Sequence, residues 1–188
     1  FRIMSNKKFS EFTEQTDNAN VGFVAGFNGS TNVRISPANI VNSSKKTITA
    51  KTGDASIVAT ERNHIITFNA AGTARLELPD SGDGSQIGMS YEFITTVSAS
   101  SGTHTVKNAD TTNEVFVGTV IVTDTAGTKS QIFETDGSDN FSRINMGGDG
   151  TGGLKGSRLK FTNLAADLWF VEGVLIGNGN PATPFATS

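Results

Sequence analysis

The chain has 188 residues, a formal net charge of −3, 36% hydrophobic and 18% charged residues; that allows one ordinary folded domain plus an arm, or two small domains, and is too weakly charged for a disordered chain. The acidic balance argues against a nucleic-acid binder, which needs a basic face to displace counterions. The lack of cysteine removes disulfides, thiolate catalysis and Cys-ligated metal, and fits folding in a reducing cytoplasm.

The opening FRIMSNKK has no apolar run of the signal-peptide kind. Met4-Ser5 reads as a natural start, with residues 1–3 as an upstream remnant. No run of about eighteen apolar residues predicts a transmembrane helix. Residues 7–17 are the one sizeable helix candidate: Phe9 and Phe12 stand three apart and could share a face. An extended arm fits equally well. Phe23 and Phe27 add two more large apolar groups. These side chains either pack on the chain's own body or fill pockets on another subunit, where buried aromatic anchors carry most of the binding energy.

Asn28-Gly29 is a hairpin-type turn signal, and Val33-Arg34-Ile35 alternates as a half-buried strand does. Ser36-Pro37 predicts the start of a helical turn through Val41. The polar cluster that follows marks a boundary. It divides an N-terminal docking segment (residues 1–44, extended or short-helical) from a β-rich body (residues 45–188).

Beyond Lys46 the hydrophobic period is two. Strands are expected at 47–50, 56–59, 64–68, 73–78, 91–97, 104–107, 115–124, 130–134, 141–145, 158–161 and 168–176, and the tail from Gly177 is expected to be extended. Turn signals separate them every eight to twelve residues or so, which predicts an all-β antiparallel sandwich or barrel-like body. No βα alternation and no repeat of fixed period is seen.

Residue types that carry chemistry are sparse. Gly148, Gly150 and Gly153 match G-x-G-x-x-G, but a dinucleotide site needs a helix after the loop, and LKGSRLKFTN reads as a strand; a flexible hairpin loop is expected instead. Lys129-Ser130 matches the end of a phosphate loop without its first glycine. His64 and His104, the two histidines, have no assignable base or nucleophile partner. Asp80 with Asp83, and Asp136 with Asp139, lack the spacing of a calcium loop and suit turns, where Asp bonds its own backbone. Lys155, Arg158 and Lys160 form a local basic patch, expected on a solvated strand edge. No enzyme activity, cofactor or metal is expected. One Trp and one Tyr supply a sugar platform poorly. In LWFVEGVLI, apolar residues fall on both faces, so Trp169 and Phe170 read either as core or as an oligomer interface.

The segment FSEFTEQTD with VGFVAGFNGSTNVRISPANIV is similar to N-terminal segments of tailed-bacteriophage virion proteins. The ending LKFTNLAADLWFVEGVLIGNGNPATPFAT resembles the close of phage structural β domains, in which a W-x-V-x-G strand leads to a G-x-G-x-P-x-T-P-F tail. The resemblance covers about the first forty residues and the last thirty. It implies a virion component assembled in the host bacterial cytoplasm, a homotrimer, with a capsid-decoration (cement or knob) role. Docking on the major capsid protein or another virion protein would use Phe9, Phe12, Phe23 and Phe27 as anchors and Arg34 as a polar contact. The alternatives are a tail-fibre or baseplate adaptor, which the stop after one β body disfavours, and a carbohydrate-binding β domain that takes a glycan. Neither nucleic acid nor membrane is an expected partner.

Overall fold

The computed structural model describes residues 24–28, 31–35 and 45–187. They form two compact units, one within Phe1–Lys46 and one spanning Thr47–Ser188. In the first, β1 (Val24–Asn28) pairs antiparallel with β2 (Thr31–Ile35), with Asn28 opposite Thr31 and Val24 opposite Ile35. An antiparallel hairpin was expected here, but the register sets residues 29–30, not Asn28-Gly29, between the paired ends.

The second unit is all-β, as expected. Among the described residues its one helical element is a 3₁₀ turn, Ala59–Glu61. Two sheets enclose one core. The strands are β3 (Ile48–Lys51), β4 (Ala55–Ser56), β5 (Ile65–Phe68), β6 (Ala74–Glu77), β7 (Ser90–Thr95), β8 (His104–Lys107), β9 (Val115–Asp124), β10 (Ser130–Thr135), β11 (Arg143–Met146), β12 (Arg158–Ala165), β13 (Leu168–Gly177) and β14 (Phe185–Ala186). The seven-stranded sheet runs β10-β9-β13-β12-β7-β5-β3, and the five-stranded sheet runs β14-β11-β8-β6-β4.

The topology departs from a purely antiparallel sandwich. From β3 to β8 the chain alternates between the sheets, one strand in each. As a result β3, β5 and β7 are parallel neighbours in one sheet, and β4, β6 and β8 in the other. These strands make three stacked rungs of a coil. Rung spacing is irregular: Ile48 aligns with Ile65 and Ile65 with Glu92, which is why no sequence repeat is visible. From β9 onward antiparallel pairs dominate, with β12 inserted between β7 and β13, and a parallel pair joins β13 to β9.

Period-two patterning sets the core. Ile66, Phe68, Tyr91, Phe93, Phe116, Leu159, Phe161, Trp169 and Val171 of the larger sheet meet Leu76, Val106, Ile144 and Met146 of the smaller, all essentially without exposure. Edge-to-face aromatic pairs lock it: Phe93 lies 5.6 Å from Phe161, and Tyr91 5.9 Å from Trp169. Such pairs add roughly 0.5–1.5 kcal/mol each beyond area burial.

Candidate functional site

The proposed anchors sit in the N-terminal unit. Phe27 lies in β1 opposite Asn32, and Arg34 lies in β2 opposite Ala25. Phe9, Phe12, Phe23 and the helical turn expected after Ser36 lie outside the described residues.

Trp169 requires a correction. Its ring is fully buried inside its own subunit, and its Nε1–H points at Glu114 Oε1, 3.4 Å away. It is a core residue and cannot meet a partner. Phe170 projects to the opposite face, half-buried. The expected basic patch also lies elsewhere than on an edge. Arg158 and Lys160 are on the outer face of β12, a central strand, and Lys160 pairs with Glu172 at 3.4 Å.

The glycine-rich segment is not a phosphate cradle. Strand β12 follows it, and its amides are already engaged: Gly148 N donates to Gly152 O at 2.6 Å, Gly152 N to Asp149 O, and Thr151 N to Asp149 Oδ1. Nor is it a loose hairpin. A Cβ at Gly148 would stand 1.9 Å from Ala99 O, and one at Gly150 2.0 Å from Asn180 O. The glycines permit close backbone packing against neighbouring segments.

The paired aspartates behave as turn residues. Asp80 accepts from Gly82 N, Asp83 from Ser85 N, and Asp136 from Ser138 N, at 2.8–2.9 Å. The Ser138 side chain and N–H hold the Asp136 carboxyl below its ordinary value. Asp136 and Asp139 line an open cleft of about 530 Å³ together with Glu134 and Thr119. Among the described residues no group of three or more His, Asp or Glu is placed to hold a metal ion.

The two histidines part company. His64 Nδ1 lies 3.0 Å from Thr49 Oγ1 in a part-buried contact. His104 is fully buried and stacks on Phe68 at 4.6 Å and 9°. Its Nε2 lies 2.8 Å from Ala70 O; a carbonyl only accepts, which assigns the proton to Nε2. Nδ1 is left buried without a partner. Burial lowers the pKa of His104 below 6.5, against an opposing pull from the Ala70 carbonyl. Below about pH 6.5 the unfolded chain therefore binds a proton that the folded chain resists. This part of the stability is present above that pH and is lost as pH falls toward the folded value. We expect His104→Phe, which keeps the stack and removes the titration, to lose less stability than wild type between about pH 7 and 5; urea midpoints across that range measure the difference.

One polar residue was not legible in the sequence as special. Glu114 is fully buried and accepts from Ser81 N at 2.7 Å, Ser81 Oγ at 2.5 Å and Asp110 N at 2.9 Å, besides Trp169 Nε1. It ties the loop after β6 and the loop before β9 to the core.

The outer face of the smaller sheet carries a polar groove of about 330 Å³. Arg75, Thr105, Arg143, Asn145 and Asp149 contribute to it. Arg75 is held by Asp54 at 3.3 Å, Thr105 donates to Asn145, and Arg143 Nε donates to Thr187 O.

Compared with protein-family models, curated proteins and solved structures, the chain matches none.

Proposed function

We propose that the chain is a structural protein of a tailed-phage particle, a head decoration protein that docks through its N-terminal segment and displays its β body. The reading rests on the resemblance of its two ends to phage virion proteins. One observation supports it above the others: the W-x-V-x-G strand of that resemblance is β13, a central strand of the larger sheet, and the Pro184-Phe185 tail returns as β14, with Phe185 in the core. The similar ending thus supplies a central strand and a core side chain of the body. The buried polar groups also serve the fold: Glu114 joins loops, and His104 is held neutral under a phenyl ring. Many copies on a lattice gain from multivalency, so each anchor can be modest. The proposal includes a homotrimer, the major capsid protein as partner and assembly in the bacterial cytoplasm.

The test is deletion of residues 1–41. The expected result is a soluble, folded body that no longer enters particles; normal incorporation overturns the docking role. Copy number separates head from tail, since a decoration protein matches the capsid lattice and an adaptor matches the tail's few positions. The polar groove favours a second reading, a glycan-binding domain, which a binding signal on a glycan array lost in Asn145→Ala would promote.

A further inference from the structure

We propose that β10 is a self-pairing edge, through which two copies of this chain join antiparallel about a two-fold axis at Ile132. Among the described residues the sheet ends at β10, so one side of its backbone has no strand partner there. Asp124 N donates to Lys129 O, which makes that pair hydrogen-bonded. Antiparallel ladders alternate, and the register runs unbroken from Ser130 opposite Thr123 to Thr135 opposite Gly118. Gln131, Phe133 and Thr135 therefore bond β9, while the amides and carbonyls of Ser130, Ile132 and Glu134 face outward.

Natural edges are guarded, and the contrast with the other end of this sheet is direct. At the β3 edge Lys51 is only slightly exposed and is held by Glu61 at 2.8 Å, an inward-turned charge that discourages pairing. Strand β10, SQIFET, has no Lys, no Pro and no bulge. It also presents Ile132, 64% exposed, as the end of an apolar row: Ile132 lies opposite Ile121, and Ile121 beside Val174.

The register follows from the outward backbone groups and the apolar row. With Ile132 opposite its own copy, Ser130 falls opposite the copy's Glu134. All three outward-facing residues then pair, with two bonds at each pair. The apolar row runs continuously through both subunits. A shift of two residues either way sets Ile132 against Ser130 or Glu134 and leaves outward groups unpaired. The occupant that fits the length and the apolar row of this edge, and that pairs every outward backbone group, is therefore another copy of it. The inference does not depend on the phage reading.

Sedimentation equilibrium of the full chain over a range of concentrations tests it. Wild type is expected to self-associate reversibly. Ile132→Lys, at a surface position that leaves the fold intact, sets like charges opposite each other and weakens association by more than roughly tenfold. The chain has no cysteine, so Ile132→Cys reads the register: hydrogen-bonded pairs place their Cα atoms about 5.5 Å apart, within disulfide reach. Oxidation is expected to give a covalent dimer with Ile132→Cys and not with Glu134→Cys. Equal masses for wild type and Ile132→Lys at every concentration, or equal cross-linking at 132 and 134, overturn the proposal.

Discussion

Replacing Glu114 with alanine is expected to lower unfolding stability by roughly 3–6 kcal/mol. The side chain accepts from two backbone amides and one hydroxyl within 2.9 Å, and all of it is buried. Truncation leaves those donors without water or protein partners, each at a cost of about 1–3 kcal/mol. That is a large share of the roughly 5–15 kcal/mol that holds a domain together. Glutamine is expected to do only part of the repair: one of its ends is a donor, so it must face either Ser81 or Asp110 N–H donor to donor. Ser81→Ala removes a single hydroxyl and is expected to cost about 1 kcal/mol. Urea midpoints ordered Ala lowest, then Gln, then Ser81→Ala confirm the hub; a Glu114→Ala midpoint within error of wild type contradicts it.

Gly148→Ala is expected to be comparably damaging, by a different route. Gly148 has φ +81°, and its added Cβ would stand 1.9 Å from Ala99 O. Main chain cannot rotate away as a side chain can, so the loop or the segment around Ala99 must shift, with an expected loss of about 3 kcal/mol or more. Gly127 supplies the control. Its φ is +66°, but no atom lies within 4 Å of a Cβ built there, so alanine meets only the left-handed backbone penalty of about 1–2 kcal/mol. Similar thermal shifts for the two variants would show that backbone conformation rather than crowding governs this loop.

The strands were readable because their physical signal is local. His104–Lys107 and Val115–Asp124 stand where β-branched runs meet turn residues, and the structure has them at those bounds. Tyr91 and Phe93 face the core as alternation requires. Pairing was not readable, because a period of two says which face a residue takes but not which strand lies beside it. The parallel coil from β3 to β8 was hidden for that reason. Trp169 was ambiguous because β13 carries apolar residues on both faces: Trp169, Val171 and Leu175 turn inward, whereas Val174 is 40% exposed. Glycine codons mark the 147–153 loop without showing what crowds it, so tight packing passed for looseness. Glu114 gave no warning, since one glutamate ahead of a β-branched run resembles any surface turn. The proposed anchors Phe9, Phe12 and Phe23 lie outside the described residues, and the deletion experiment bears on them.

The order in which strands leave the ribosome matters for a sheet assembled this way. Strand β13 fills the place between β9 and β12, and β12 joins it to β7, yet both are made after every one of their other neighbours. At about 5–20 residues per second, the earlier strands wait for seconds with apolar faces and open ladders uncovered. Closure of the larger sheet thus waits until β13 has been made, and is slow in the manner of chains dominated by long-range pairings. A nascent chain stalled before Leu168 should bind chaperones and resist refolding, and one released past Gly177 should escape them.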